Sequence, residues 1–172
     1  MNTQEAAGQV LEFIRQHRKA FDMHSWADYN NSIMRKNSVP SGFQVKLENI
    51  EQANTRCGTT LCVAGFATMA TGWTQSLVKY EDHWGGWYDF NWISPGGAVV
   101  NDGEVPFEKI GRGYLELTEH QGNVLFFTFD NGKVEGWLER LASGESPDFL
   151  NDIYTGECIN CEICGAIGEE DR

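Results

Sequence analysis

Three groups of side chains could carry chemistry. The first is the run Cys57-Gly58-Thr59-Thr60-Leu61-Cys62-Val63-Ala64-Gly65-Phe66-Ala67. Free amides and the helix dipole acidify a thiol at a helix N-terminus, so Cys57, with Gly58 behind it, could serve as a nucleophile. The base would be His83 or His120, the two histidines downstream, with Asn123 or Asp130 to orient the ring. None of the local signatures of known thiol enzymes surrounds Cys57. The same run also reads as close packing. At helical spacing Cys62, Gly65 and Met69 share one face, with Ala64 and Ala67 on the neighbouring stripe. Small side chains so placed let another element approach the backbone, and Cys behaves there as a small hydrophobe.

The second group is Cys158-Ile159-Asn160-Cys161-Glu162-Ile163-Cys164-Gly165, two overlapping Cys-x-x-Cys spacings. Two thiolates on a tight turn followed by Gly make half of a zinc knuckle. A structural zinc would take Cys158, Cys161 and Cys164, with Cys57, Cys62 or a histidine as the fourth ligand, or two cysteines from each of two chains. Glu157, Glu162, Glu169, Glu170 and Asp171 surround these thiols. Such acidity also suits a solvated end and opposes thiolate formation.

The third group is aromatic. Trp84, Trp87, Tyr88, Phe90 and Trp92 stand close together, flanked by Glu81, Asp82 and Asp89 and interleaved with Gly85 and Gly86. Rings beside carboxylates suit a protein-binding patch, the rings as anchors and the charge as steering for a basic partner. Single-strand binders stack bases on such rings too, but they add a positive groove, and this segment has none. The competing reading is that the rings fill the core.

The elements that must position these groups are legible in part. Thr3 is a candidate cap for an amphipathic helix over 4–20, with Val10, Phe13, Ile14 and His17 on one face. Residues 30–42 read as a loop, and the alternation Phe43, Val45, Leu47 as a half-buried strand. Residues 58–71 read as a buried helix, and 80–103 as irregular strands or a long loop. Pro106 begins a helix, Thr118 and Gln121 fit a capping box, Asn131-Gly132 marks a turn, and Val134, Trp137, Leu138 and Leu141 keep helical spacing. The expected class is α+β: a mainly helical single domain over 1–150 with a small antiparallel sheet, and an acidic, cysteine-containing C-terminal extension over 151–172.

Composition narrows the function. The chain has 172 residues, enough to bury a core without disulfide staples. No stretch approaches the run of about 18 apolar residues that a membrane helix needs, and the first residues carry no signal-peptide pattern. A cytoplasmic protein with reduced cysteines is the expectation. Charge is uneven. Residues 1–57 hold seven Lys/Arg against six Asp/Glu, a net +1; residues 58–172 hold six against nineteen, a net −13. That potential repels phosphate, which argues against direct nucleic-acid binding and favours basic partners. Oligomeric state is not legible, and a homo-oligomer is compatible with everything above.

Phe21-Asp22-Met23 with Trp26, then Cys57 to Ala67, then Leu117-Thr118 with Gln121, Leu125 and Phe126 form a recurring pattern. Across roughly 13–127 the chain resembles a set of bacteriophage and prophage-type bacterial proteins that share Cys-Gly-Thr-x-x-Cys-x-Ala-Gly-x-Ala. The resemblance implies a phage-borne accessory protein and no particular activity. Segment 80–103 and the cysteine tail depart from the pattern, so a function special to this chain would sit there. The resulting expectation is a non-enzymatic protein that binds and inhibits a host defence or nucleic-acid-processing protein, as a DNA mimic in one version. The partner surface would be Glu81, Asp82, Trp84, Trp87, Tyr88, Asp89 and Trp92. The alternatives are a cysteine-nucleophile hydrolase or transferase and a small zinc-stabilised adaptor.

Overall fold

The computed structural model describes residues 2–24, 27–80 and 87–153, apart from the side chains of Asp28 and Asp102. Helix α1 (Thr3–Gln16) starts at a capping box: Asn2 accepts from the amide of Glu5 at 2.9 Å, and Glu5 reaches back to the amide of Asn2. A 3-10 turn (Arg18–Ala20) and the short strand β1 (Ala27–Asp28) follow. Then come α2 (Asn31–Lys36), β2 (Gln44–Val45), α3 (Ile50–Cys57), β3 (Thr60–Leu61) and α4 (Val63–Ala70). Strands β4 (Thr74–Tyr80), β5 (Trp87–Ile93) and β6 (Val99–Asn101) precede α5 (Phe107–Leu115), α6 (Glu119–Phe126) and α7 (Asn131–Ala142). A 3-10 segment (Pro147–Asp152) closes the described chain.

Helix makes up 56% of this unit, and one antiparallel sheet in the order β2-β4-β5-β6 completes an α+β fold. A separate two-stranded pair joins β1 to β3. The apolar helix α4 is buried from Val63 to Met69, with α1, α5 and α6 packed against it. The sheet turns one face inward: Leu77, Tyr88, Phe90 and Trp92 are buried, and Trp92 meets the ring of Phe107 edge-on at 4.9 Å.

Several local expectations fail for identifiable reasons. Asn2, one residue before Thr3, supplies the first cap. Inside the expected loop 30–42, Asn30 accepts from the amides of Ser32 and Ile33 and nucleates α2. The strand at 43–47 is cut to two residues, because Leu47–Asn49 winds into a 3-10 turn. The helix expected from residue 58 begins at Val63. Asn131-Gly132 opens α7 rather than ending an element, since Asp130 caps the amide of Lys133 at 3.0 Å. Pro106 stands at the N-cap position, one residue before α5 begins and with no side-chain cap, whereas the Thr118–Gln121 box starts α6 as expected.

At its open end, β5 runs past β6, whose pairing stops at Asn91. There the amide of Tyr88 donates to Asn31 Oδ1 at 3.0 Å, and the Tyr29 hydroxyl donates to the carbonyl of Tyr88 at 3.2 Å.

Candidate functional site

Strand geometry sorts the aromatic segment. Side chains alternate across β5, so Tyr88, Phe90 and Trp92 point into the core, while Trp87, Asp89 and Asn91 lie on the outer face. Tyr88 is 3% exposed and Trp92 fully buried, so these two members of the expected partner surface are core residues. Trp87, 44% exposed, is on the surface. Register places it opposite Tyr80 of β4, and the two rings stack at 4.2 Å between centroids with 13° between planes. Tyr80 is itself 41% exposed and was not singled out from the sequence. Glu81, Asp82, His83 and Trp84 lie outside the described residues.

Asp89 sits one step along the same face from Trp87. Its Oδ1 accepts from the Tyr29 hydroxyl at 3.2 Å and from the amide of Phe90 at 2.8 Å. Asp89 is thus both part of the exposed face and a fastening for the segment that covers the open end of β5. The outer face therefore presents two stacked rings, a half-buried carboxylate and the apolar side chains of Val78, Ile93 and the 66% exposed Val99.

The cysteine motif takes the packing reading. Cys57 is the last residue of α3, not the first of a helix, so it stands at the negative end of the dipole. Gly58 caps α3 with φ +68°, and a Cβ there would come within 2.8 Å of Asn30 Cβ. Glycine is needed at that position by conformation and by space, independently of any reaction. Asn54 Nδ2 donates to the carbonyls of Lys19 and Thr59, binding the motif to its neighbours. Cys57 has no exposed surface, and burial pushes its thiol up to about 11 against the lowering pull of Arg56.

Cys62, which does stand before a helix, is 1% exposed. Burial drives its thiol up to about 12, although the amides of Gly65, Ala64 and Cys62 favour the thiolate; the nearby Asp22 adds to the rise. Of the proposed base and orienting residues, His120, Asn123 and Asp130 belong to α6 and the start of α7, and the first two are buried. The contacts of α3 run instead to α2 and to the turns at Arg18–Ala20 and Leu47–Asn49.

The small-residue stripe of α4 receives α5. A Cβ at Gly111 would lie 3.3 Å from Ala64 Cα and 3.0 Å from the ring of Phe126. Among the described residues, no group of three or more His, Cys, Asp or Glu side chains could hold a metal ion. Cys158, Cys161 and Cys164 lie outside the described residues, and both of the cysteines offered as a fourth ligand, Cys57 and Cys62, are in the core.

Two further surface features escaped the sequence reading. A shallow, largely apolar groove of about 640 Å³ runs between Trp73 and the Ile110–Tyr114 side of α5, with Lys109 and Glu116 also lining it. Elsewhere, His24 stacks on Phe129 at 5.7 Å, and its Nδ1 lies 2.8 Å from Asp22 Oδ1. Hydrogen bonds from His24 hold the Asp22 carboxyl below its usual range.

Compared with protein-family models, curated proteins and solved structures, the chain shows no significant match. Among the described residues no helix is long and apolar enough to cross a membrane.

Proposed function

We propose that this chain is a phage-type accessory protein that performs no chemistry of its own. It acts in the host cytoplasm by binding a host defence or nucleic-acid-processing protein and inhibiting it through a basic, nucleic-acid-facing surface. The observation that carries this reading is the stacked, solvent-facing Tyr80–Trp87 pair beside Asp89, in a chain of net charge −12. Stacked rings supply rigid anchoring area at small entropic cost, and surplus negative charge selects cationic partners and repels phosphate. Glu119, Glu135, Glu139 and Glu145 pair with Arg112, Arg18, Arg15 and Arg140 respectively. The steering charge must therefore come from other carboxylates, and Glu81, Asp82 and Asp89 are the ones adjoining the rings in sequence.

The test is affinity capture from host cytoplasm with the full chain, beside Trp87→Ala and the triple variant Glu81→Gln, Asp82→Asn, Asp89→Asn. Specific capture of a nucleic-acid-processing or defence protein, reduced by Trp87→Ala and made less salt-sensitive by the triple variant, is the expected result. A captured protein held equally well by all three chains would overturn the assignment of this face.

A further inference from the structure

The outer face of the hairpin carries the two groups with which this fold already holds guanidinium ions. Arg140 lies over the Phe149 ring at 3.6 Å from its centroid, while Glu145 takes the same guanidinium through Nε and Nη2. A second arginine, Arg56, lies over Phe43 at 5.1 Å. Ring face plus carboxylate is a strong combination for arginine, because the planar cation stacks on the ring while its edge donates to the oxygens. On β5, Trp87 and Asp89 are two residues apart on one face, roughly 7 Å along the strand. Each ring of the Tyr80–Trp87 pair has one side turned to its partner and one turned away. Among the described residues, the guanidinium–ring contacts are those of Arg56 on Phe43 and Arg140 on Phe149. Oδ1 of Asp89 accepts from Tyr29 and Phe90, which fixes the carboxylate, and Asp89 stays partly exposed on the outer face.

We infer that this face is an arginine-reading site: a partner arginine lays its guanidinium on the aromatic pair and donates to Asp89. The inference rests on the partner-binding reading above and gives it a chemical selector. Bulk negative charge would attract lysine and arginine alike, whereas ring stacking and a fixed carboxylate prefer the planar cation. The face then reads a single side chain on the partner, beyond its overall charge.

The experiment is a titration of the 15N-labelled full chain with three short peptides, identical except for a central arginine, citrulline or lysine. The arginine peptide should move the Trp87 indole resonance and the Asp89 amide in a saturable way. Citrulline keeps the planar shape and loses the charge; lysine keeps the charge and loses the plane. Each should bind about threefold to fivefold more weakly. Trp87→Leu should weaken the arginine peptide by a similar factor. Asp89→Asn keeps an acceptor for Tyr29 while removing the charge, and should flatten the salt dependence. Equal affinity for arginine and lysine, or shifts spread over Glu104, Glu108 and Asp148 with Trp87 unmoved, would overturn the inference. Its failure is separable from that of the function: a host protein whose capture depends on Trp87, with no discrimination among the three peptides, sinks this inference alone.

Discussion

On β5, Trp92 and Trp87 carry the same side chain on the same strand, yet Trp92 is sealed against Phe107 and Trp87 stands 44% exposed beside Tyr80. Inward and outward positions on a strand differ by an odd number in sequence, so one aromatic-rich stretch supplies both core and surface. The inward set, Tyr88, Phe90 and Trp92, joins the sheet to the helices. The outward ring stays at the surface, stacked on Tyr80. The helical half shows the same division on α5, where Gly111 presses against Ala64 and Phe126 while Gly113 faces open space.

The sharpest way to break this comparison is to truncate both tryptophans. Trp92→Ala should cost about 3–5 kcal/mol of stability, as for other buried large-to-small changes. Trp87→Ala forfeits chiefly its stack on Tyr80, worth about 1 kcal/mol. Urea unfolding of the two variants measures the difference, and equal losses would contradict the assignment of faces. The glycines come next. Gly111→Leu forces α5 off α4 and should destabilise by about 1–3 kcal/mol. Gly113→Ala meets nothing within 4 Å and should stabilise by about 0.4–1 kcal/mol through the unfolded chain. Thermal melts should therefore move in opposite directions for two glycines in the same helix.

The smallest effect at neutral pH belongs to the thiols. Cys57 and Cys62 are raised from about 9 to about 11 and about 12 by burial, so the unfolded chain releases these protons first as pH rises. Their contribution to stability is whole below about pH 9 and falls as pH climbs toward 11 and 12. Cys57→Ala with Cys62→Ala should show a flatter alkaline limb in pH-dependent melts. At pH 7 the native chain should react with a thiol reagent at neither of these two positions.

The legible parts of the fold were those governed by neighbours in sequence. The Thr118–Gln121 box, the Pro106 start of α5 and the apolar spacing of α7 depend on residues within a turn of one another. The site was harder, because its parts meet through strand register. Tyr80 joins Trp87 only once β4 and β5 pair residue by residue, and no local pattern at Tyr80 announces that. The split of Tyr88 from Trp87 was within reach, since alternation alone separates them once residues 87–93 are taken as a regular strand. Cys57 was misplaced for a similar reason. A glycine directly after it signals the end of a helix as readily as the backing of a nucleophile, and its φ of +68° decides for the end.

The hydrogen bonds from Tyr29 and Asn31 onto Tyr88 have a consequence for assembly. An unpaired strand margin invites another chain to zip on, and such templating is how sheets polymerise. Here the amide and carbonyl that a foreign strand would use at Tyr88 are already occupied by side chains from the segment before α2 and its first residue. The hairpin can thus hold aromatic surface in water while its flank at Tyr88 is corked against a foreign strand.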